Sequence, residues 1–128
     1  MHLNHIAIRA TDIELLKEFY CLWFHATAGG RYHNPRKNFT SYFLTFPNGD
    51  ARLEIMNVPE IIDRKAPGKF KGFCHISFSL GGKDEVNTLT EKMRDAGITI
   101  LGEPRTTGDG YYESVIADPE DNIIELTV

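Results

Sequence analysis

Residues 5–20, HIAIRATDIELLKEFY, predict a strand that runs directly into a helix. Apolar residues alternate with other residues in the first part, as they do in a half-buried strand. Thr11, followed three residues later by Glu14, is typical of a capping box and predicts Thr11 as the N-cap. Behind this cap the apolar residues recur at helical spacing, which predicts an amphipathic helix over about residues 12–24.

The chain that follows predicts a sheet. After a loop-rich stretch with one short strand come a strand over residues 41–46, a turn at residues 47–50 and a strand over residues 51–57. The polar segment 58–72 predicts a crossover loop.

The second half repeats this order of elements. We expect a strand at 73–80, a helix at about 84–96 followed by Gly97 at the C′ position, a short strand at 98–101, and hairpin strands at 111–117 and 123–128. FPNGDARLEI of the first half also aligns with DPEDNIIEL of the second. The sequence therefore predicts an α+β domain of two related modules, at about residues 1–60 and 73–128.

The composition limits the class of protein. With 128 residues, 41% of them hydrophobic, the chain suits one soluble domain. Its net charge of −4 differs from the positive charge that is typical of nucleic-acid-binding proteins. No apolar run approaches the roughly 20 residues that span a bilayer. Two unclustered cysteines and the absence of a visible secretory signal favour a reduced, cytoplasmic protein.

Four residues occupy matching places in the two halves. His5 and His75 lie in the first strand of each half, 70 residues apart, and Glu54 and Glu125 lie in the last strand, 71 residues apart. Alternation places the apolar neighbours of these residues on the face that the helix covers, so that the four side chains point to the other face. Taken singly, each fits a solvated or hydrogen-bonded strand residue. Taken together, they predict a mixed nitrogen and oxygen site for a divalent metal.

These residues carry a resemblance to the vicinal oxygen chelate superfamily, which includes glyoxalase I, bleomycin-resistance proteins and extradiol dioxygenases. The similar segments are HIAIRATDIELLKEFY, the LEI strand, CHISFSL and DPEDNIIEL, which together extend over nearly the whole chain. The resemblance implies a single domain, residues 1–128, whose two βαβββ modules form an open, cup-shaped mixed sheet with the helices on its outer face. It also implies that the ligands of one metal ion come from the first and last strands of each module.

The ligand set is most similar to that of glyoxalase I, because His5, Glu54, His75 and Glu125 are all present. The resemblance implies isomerisation of a thiol hemithioacetal of a 2-oxoaldehyde through an enediolate, with Glu125 as the catalytic base and Glu54 able to share that role. It also implies that Arg9 binds substrate; a structural salt bridge to a nearby carboxylate is the alternative for Arg9. Glyoxalase I has a substrate-binding asparagine after the second ligand, and Asn57 lies one place short of that spacing.

The resemblance leaves the metal and the partners open. It favours nickel or cobalt, with zinc, iron and manganese as the alternatives. It implies a small-molecule substrate and a homodimer, with the metal site either within one chain or shared between two. The rival functions are an epimerase or a dioxygenase that uses the same fold, and a non-catalytic protein that binds a small molecule or an antibiotic.

Overall fold

The computed structural model describes residues 1–62 and 71–128 of the chain. The chain divides into two compact units, Met1–Pro67 and Gly68–Val128. Most of the predicted crossover loop, residues 63–70, lies outside the described residues.

The first unit has a helix and a mixed sheet. The strand order is β1-β5-β4-β2, with β3 paired to β4; β1 is parallel to β5, and the other pairs are antiparallel. Two short strands, not one, follow the helix. The elements are β1 (His5–Arg9), α1 (Ile13–Phe24), β2 (Thr27–Ala28), β3 (Tyr32–Asn34), β4 (Phe39–Thr45) and β5 (Arg52–Asn57).

The second unit has the same connectivity, except that its described residues include no counterpart of β3. Its strand order is β6-β9-β8-β7, and again only the first and last strands, β6 and β9, are parallel. The elements are β6 (His75–Ser79), α2 (Lys83–Asp95), β7 (Ile100–Thr106), β8 (Tyr112–Ala117) and β9 (Ile123–Thr127). The predicted α+β fold is therefore confirmed, with a βαβββ module in the second unit and one additional short strand, β3, in the first.

The helix of each unit covers one face of its sheet. In the first unit Leu16 and Tyr20 of α1 are fully buried together with Leu44 and Ile55 of the sheet. In the second unit the buried residues are Val86 and Met93 of α2 and Ile116, Ile124 and Leu126 of β8 and β9. Because side chains alternate along a strand, the residues between these apolar positions lie on the opposite face of the sheet.

The predicted capping box at the start of α1 is wrong. Asp12, not Thr11, is the N-cap, and its carboxylate accepts hydrogen bonds from the backbone N–H groups of Glu14 and Leu15. A carboxylate at this position also interacts favourably with the positive end of the helix dipole. The Glu14 side chain does not reach back to the cap, because it binds Lys17 and the hydroxyl of Tyr42 instead.

Strand β7 is longer than predicted. It runs from Ile100 to Thr106, through Pro104, although the sequence predicted a strand over residues 98–101 only. A proline removes one backbone donor and is tolerated at the edge of a sheet, where one side of the strand has no partner. β7 lies at one edge of this sheet, and its pairing with β8 shifts register on both sides of Gly102. Edge position is a property of the tertiary fold, so the local pattern could not reveal it.

Candidate metal centre

His5 and Glu54 meet on adjacent parallel strands. In the register of β1 and β5, His5 lies opposite Arg52 and Ala7 lies opposite Glu54, so that Glu54 is the diagonal neighbour of His5 on the same face. The distance from His5 Nε2 to Glu54 Oε2 is 3.8 Å.

His75 and Glu125 meet in the same way in the second unit. His75 lies opposite Ile123, and Ser77 lies opposite Glu125, which is the register of β1 and β5. The distance from His75 Nε2 to Glu125 Oε2 is 3.2 Å. The two units therefore share the order of their elements and also the pairing of a histidine with a glutamate.

The burial of the two pairs is similar. The exposed fraction of the side chain is 13% for Glu54, 21% for Glu125 and 39% for each histidine. The strand neighbours of the glutamates are buried against the helices: Leu53, Ile55, Ile124 and Leu126. The carboxylates are thus partly shielded from water, while the imidazoles remain accessible.

The donor atoms of each pair suit a divalent metal in chemistry and spacing. Imidazole nitrogen and carboxylate oxygen are ordinary ligands of zinc, nickel and cobalt. Two donors about 2.1 Å from one ion are roughly 3.0–3.4 Å apart at octahedral or tetrahedral angles. The 3.2 Å of the second pair lies in this range, and the 3.8 Å of the first pair needs only a small rotation of a side chain.

Each unit supplies two of the predicted ligands. Among the described residues of either unit, no third His, Cys, Asp or Glu joins the pair to make a group that could hold a metal. A single pair leaves two positions of a four-coordinate ion unfilled, or four positions of a six-coordinate ion.

Arg9 lies on β1, on the same face as His5, and it is exposed. No salt bridge joins it to a carboxylate among the described residues of its unit, so the structural alternative predicted for it is not formed there. Asn57 has a structural role, because its amide donates to the carbonyl oxygens of Ala10 and Thr11. This contact ties the end of β5 to the segment between β1 and α1.

Two residues that surround His5 were not predicted from sequence patterns. The amide oxygen of Asn4 lies 2.8 Å from His5 Nδ1 and accepts a hydrogen bond of 2.7 Å from Arg52 Nη2. Arg52 in turn lies over the ring of Phe43, 4.4 Å from its centroid. Neither Asn4 nor Arg52 belongs to a recognisable motif, because their contact depends on the register of two strands that are far apart in the chain.

Comparison with known proteins places the chain in a family. The chain matches the model of the Glyoxalase/Bleomycin resistance protein/Dioxygenase superfamily over residues 2–126. It is 38% identical over 81 residues to Glyoxalase 1 of Caenorhabditis briggsae, which covers 60% of this chain and 27% of that relative. It is 24% identical over 117 residues to the ethylmalonyl-CoA/methylmalonyl-CoA epimerase of Cereibacter sphaeroides, which covers 84% of this chain and 81% of that relative. The chain thus spans about a quarter of the first relative and most of the second.

The fold has close counterparts among solved structures. The glyoxalase family protein from Enterococcus faecalis superimposes with a TM-score of 0.82 at 23% identity, over 99% of this chain and 97% of that one. At this identity the likeness shows the fold alone. Together with the family match over almost the full length, it establishes that the chain belongs to the Glyoxalase/Bleomycin resistance protein/Dioxygenase superfamily.

Proposed function

We propose that the protein is a metal-dependent lyase of the glyoxalase I type, in which His5, Glu54, His75 and Glu125 bind one divalent ion. The observation that carries this proposal is that two His–Glu pairs recur at the same register of first and last strand in both units. Two imidazoles and two carboxylates offer four donors, and the two negative charges balance those of the ion. The four ligands come either from one chain or from units of two chains in a homodimer.

The proposed reaction converts the hemithioacetal of a 2-oxoaldehyde and a thiol into a 2-hydroxyacyl thioester. A bound divalent ion supplies a Lewis acid for the two adjacent oxygens of such a substrate. Glu125 takes the proton from the carbon bonded to sulfur and returns it to the neighbouring carbon, while the hydroxyl proton moves between the two oxygens. Glu125 is the more exposed of the two glutamates, which favours it as the base, and Glu54 can share the role.

Arg9 is proposed to bind the substrate. It is exposed on the face of β1 that carries His5, and within the described part of its unit no carboxylate neutralises it. A free guanidinium beside a reaction site attracts carboxylates, such as those of an acidic thiol.

We propose nickel or cobalt as the metal, with zinc, iron and manganese as the alternatives. We also propose a cytoplasmic location for this chain, which has two free cysteines.

Neither helix among the described residues is long and apolar enough to cross a membrane. We propose a small-molecule substrate and a second copy of the chain as the partners.

The test begins with elemental analysis of the purified protein, followed by an isomerase assay with methylglyoxal and several thiols. Removal of the metal with a chelator should abolish activity, and added Ni²⁺ should restore it. Glu125→Gln should lower turnover by at least 10²-fold, the usual contribution of a general base, while the variant still binds Ni²⁺. Glu91→Gln, an exposed change on α2, is the matched control and should leave turnover unchanged. Undiminished activity of Glu125→Gln would refute the role of Glu125.

An epimerase is the second candidate, because a relative that matches 84% of this chain is an ethylmalonyl-CoA/methylmalonyl-CoA epimerase. Exchange of the α-hydrogen of methylmalonyl-CoA with deuterated water, without activity on any hemithioacetal, would select it. Oxygen consumption by an iron-loaded preparation would select a dioxygenase. A protein that acquires no metal on titration with Ni²⁺ would instead favour a non-catalytic binding protein.

A further inference from the structure

The hydrogen bonds around His5 determine which of its ring nitrogens carries the proton. Asn4 Oδ1 lies between Arg52 Nη2, at 2.7 Å, and His5 Nδ1, at 2.8 Å. A guanidinium can only donate, so the Asn4 atom that faces it must be the amide oxygen and not the amide nitrogen. An amide oxygen can only accept, so His5 Nδ1 must donate its hydrogen to it.

A neutral imidazole with a proton on Nδ1 has its lone pair on Nε2. In this structure Nε2 is the nitrogen that faces Glu54, at 3.8 Å from Oε2. We infer that Asn4 and Arg52 are positioning residues, which hold His5 in the tautomer and ring orientation that present Nε2 to a metal ion. The inference rests on the proposed function, because it takes His5 Nε2 as a ligand.

Three further contacts restrict the positions of Asn4, of Arg52 and of the His5 ring. The backbone N–H of Arg52 donates to the carbonyl oxygen of Asn4 at 3.0 Å, next to the side-chain hydrogen bond. The Arg52 guanidinium lies over the Phe43 ring at 4.4 Å, which restricts where its Nη2 can point. The edge-to-face contact of Phe43 with the His5 ring, at 5.2 Å and 87°, restricts rotation of the imidazole.

Among its described residues, the second unit has no counterpart of these contacts. By the register of the strands, Cys74, Ile123 and Val115 take the places of Asn4, Arg52 and Phe43. An isoleucine has no donor, a valine has no ring, and a thiol is a weak hydrogen-bonding group. Two otherwise equivalent histidines therefore differ in how firmly their tautomer is held, and the contribution of Asn4 should be specific to His5.

The first test uses the metal-free protein, labelled with ¹⁵N and studied by two-bond ¹H–¹⁵N correlation at mildly alkaline pH, with His5→Gln to assign the signals. In the wild type, His5 should be protonated on Nδ1. Asn4→Leu should shift His5 to a mixture of tautomers, whereas Asn4→Asp, which keeps the acceptor, should retain the Nδ1–H form. Cys74→Ala is the matched control and should change neither histidine. An Asn4→Leu variant with an unaltered His5 tautomer would overturn the inference.

The second test measures the affinity for Ni²⁺ by competition with a chromophoric chelator. Loss of a hydrogen-bond partner of a ligand histidine typically weakens metal binding about 10–100-fold. Because Asn4 is exposed, we expect the lower end of this range, about tenfold, for Asn4→Leu. Asn4→Asp should restore the affinity, and Cys74→Ala should have none of this effect. Unchanged affinity of Asn4→Leu would overturn the positioning role. If the wild type binds no Ni²⁺, the proposed function fails, while the tautomer experiment still decides whether Asn4 orients His5.

Discussion

Replacement of Thr90 by valine should destabilise the second unit, although the two side chains have nearly the same shape. Thr90 of α2 and Ser114 of β8 are fully buried, and their hydroxyl oxygens are 2.6 Å apart. The single hydroxyl proton of Thr90 goes to the carbonyl oxygen of Val86, at 2.7 Å. The Ser114 hydroxyl must therefore donate to Thr90, and valine would leave it without an acceptor in the core.

The cost of each change follows from this assignment of protons. A buried hydroxyl that loses its partner costs about 1–3 kcal/mol, which is our expectation for Thr90→Val. Ser114→Ala leaves Thr90 bonded to Val86, so the expected loss is only about 0.5–1.5 kcal/mol. In the double variant no hydroxyl remains to be desolvated, and the loss should be smaller than the sum of the single losses by about 1 kcal/mol.

Unfolding in urea at neutral pH, followed by far-ultraviolet circular dichroism, measures these free energies. Thr88→Val is the matched control, because Thr88 is exposed on the same helix and its replacement should stay within about 0.5 kcal/mol of the wild type. Strict additivity of the two single changes, or a loss for Thr90→Val no larger than that of the control, would refute the reasoning.

Two further stability effects can be measured in the same way. Hydrogen bonds from Lys17 and then Tyr42 hold the pKa of Glu14 below its ordinary value of 4.5, so this carboxylate stabilises the fold above that pH and loses its effect as the pH falls through the lowered pKa. Glu14→Gln should thus cost less than about 1 kcal/mol at neutral pH, since the side chain is 47% exposed, and the difference should shrink in acid; a difference that grows in acid would contradict this. Gly97, at φ +82°, ends α2, and Gly97→Ala should cost about 1–2 kcal/mol from backbone strain alone, because a Cβ there meets no atom within 4 Å. Gly30→Ala, with equal space and no such φ, is the control and should cost much less.

Much of the fold follows from local patterns in the sequence. The alternation in β1, β6 and β9 and the helical spacing in α1 and α2 predicted these elements to within a few residues. Gly97 was predicted to end α2, and it does: its N–H donates to the carbonyl of Arg94, and the next N–H donates to that of Met93. These features depend on residues that are neighbours in the chain.

The two errors have different causes, competition between capping partners in one case and the position of a strand in its sheet in the other. Thr11 and Glu14 fit the capping pattern, but Asp12 is the better acceptor for the free N–H groups, and Glu14 finds Lys17 and Tyr42 instead. Tyr42 is 28 residues away from Glu14, so no local rule could include it. β7 continues through Pro104 only because the strand lies at the edge of its sheet.

The sequence by itself determined the repeated order of elements and the four polar residues at matching places, because both depend only on the spacing of residues along the chain. Only the tertiary structure decided how these residues meet. The diagonal contact of each histidine with its glutamate requires the parallel register of the first and last strands. The support of His5 requires Arg52 to reach Asn4 across 48 residues, and hydrogen bonds of this kind depend on distance in space and not on separation in sequence.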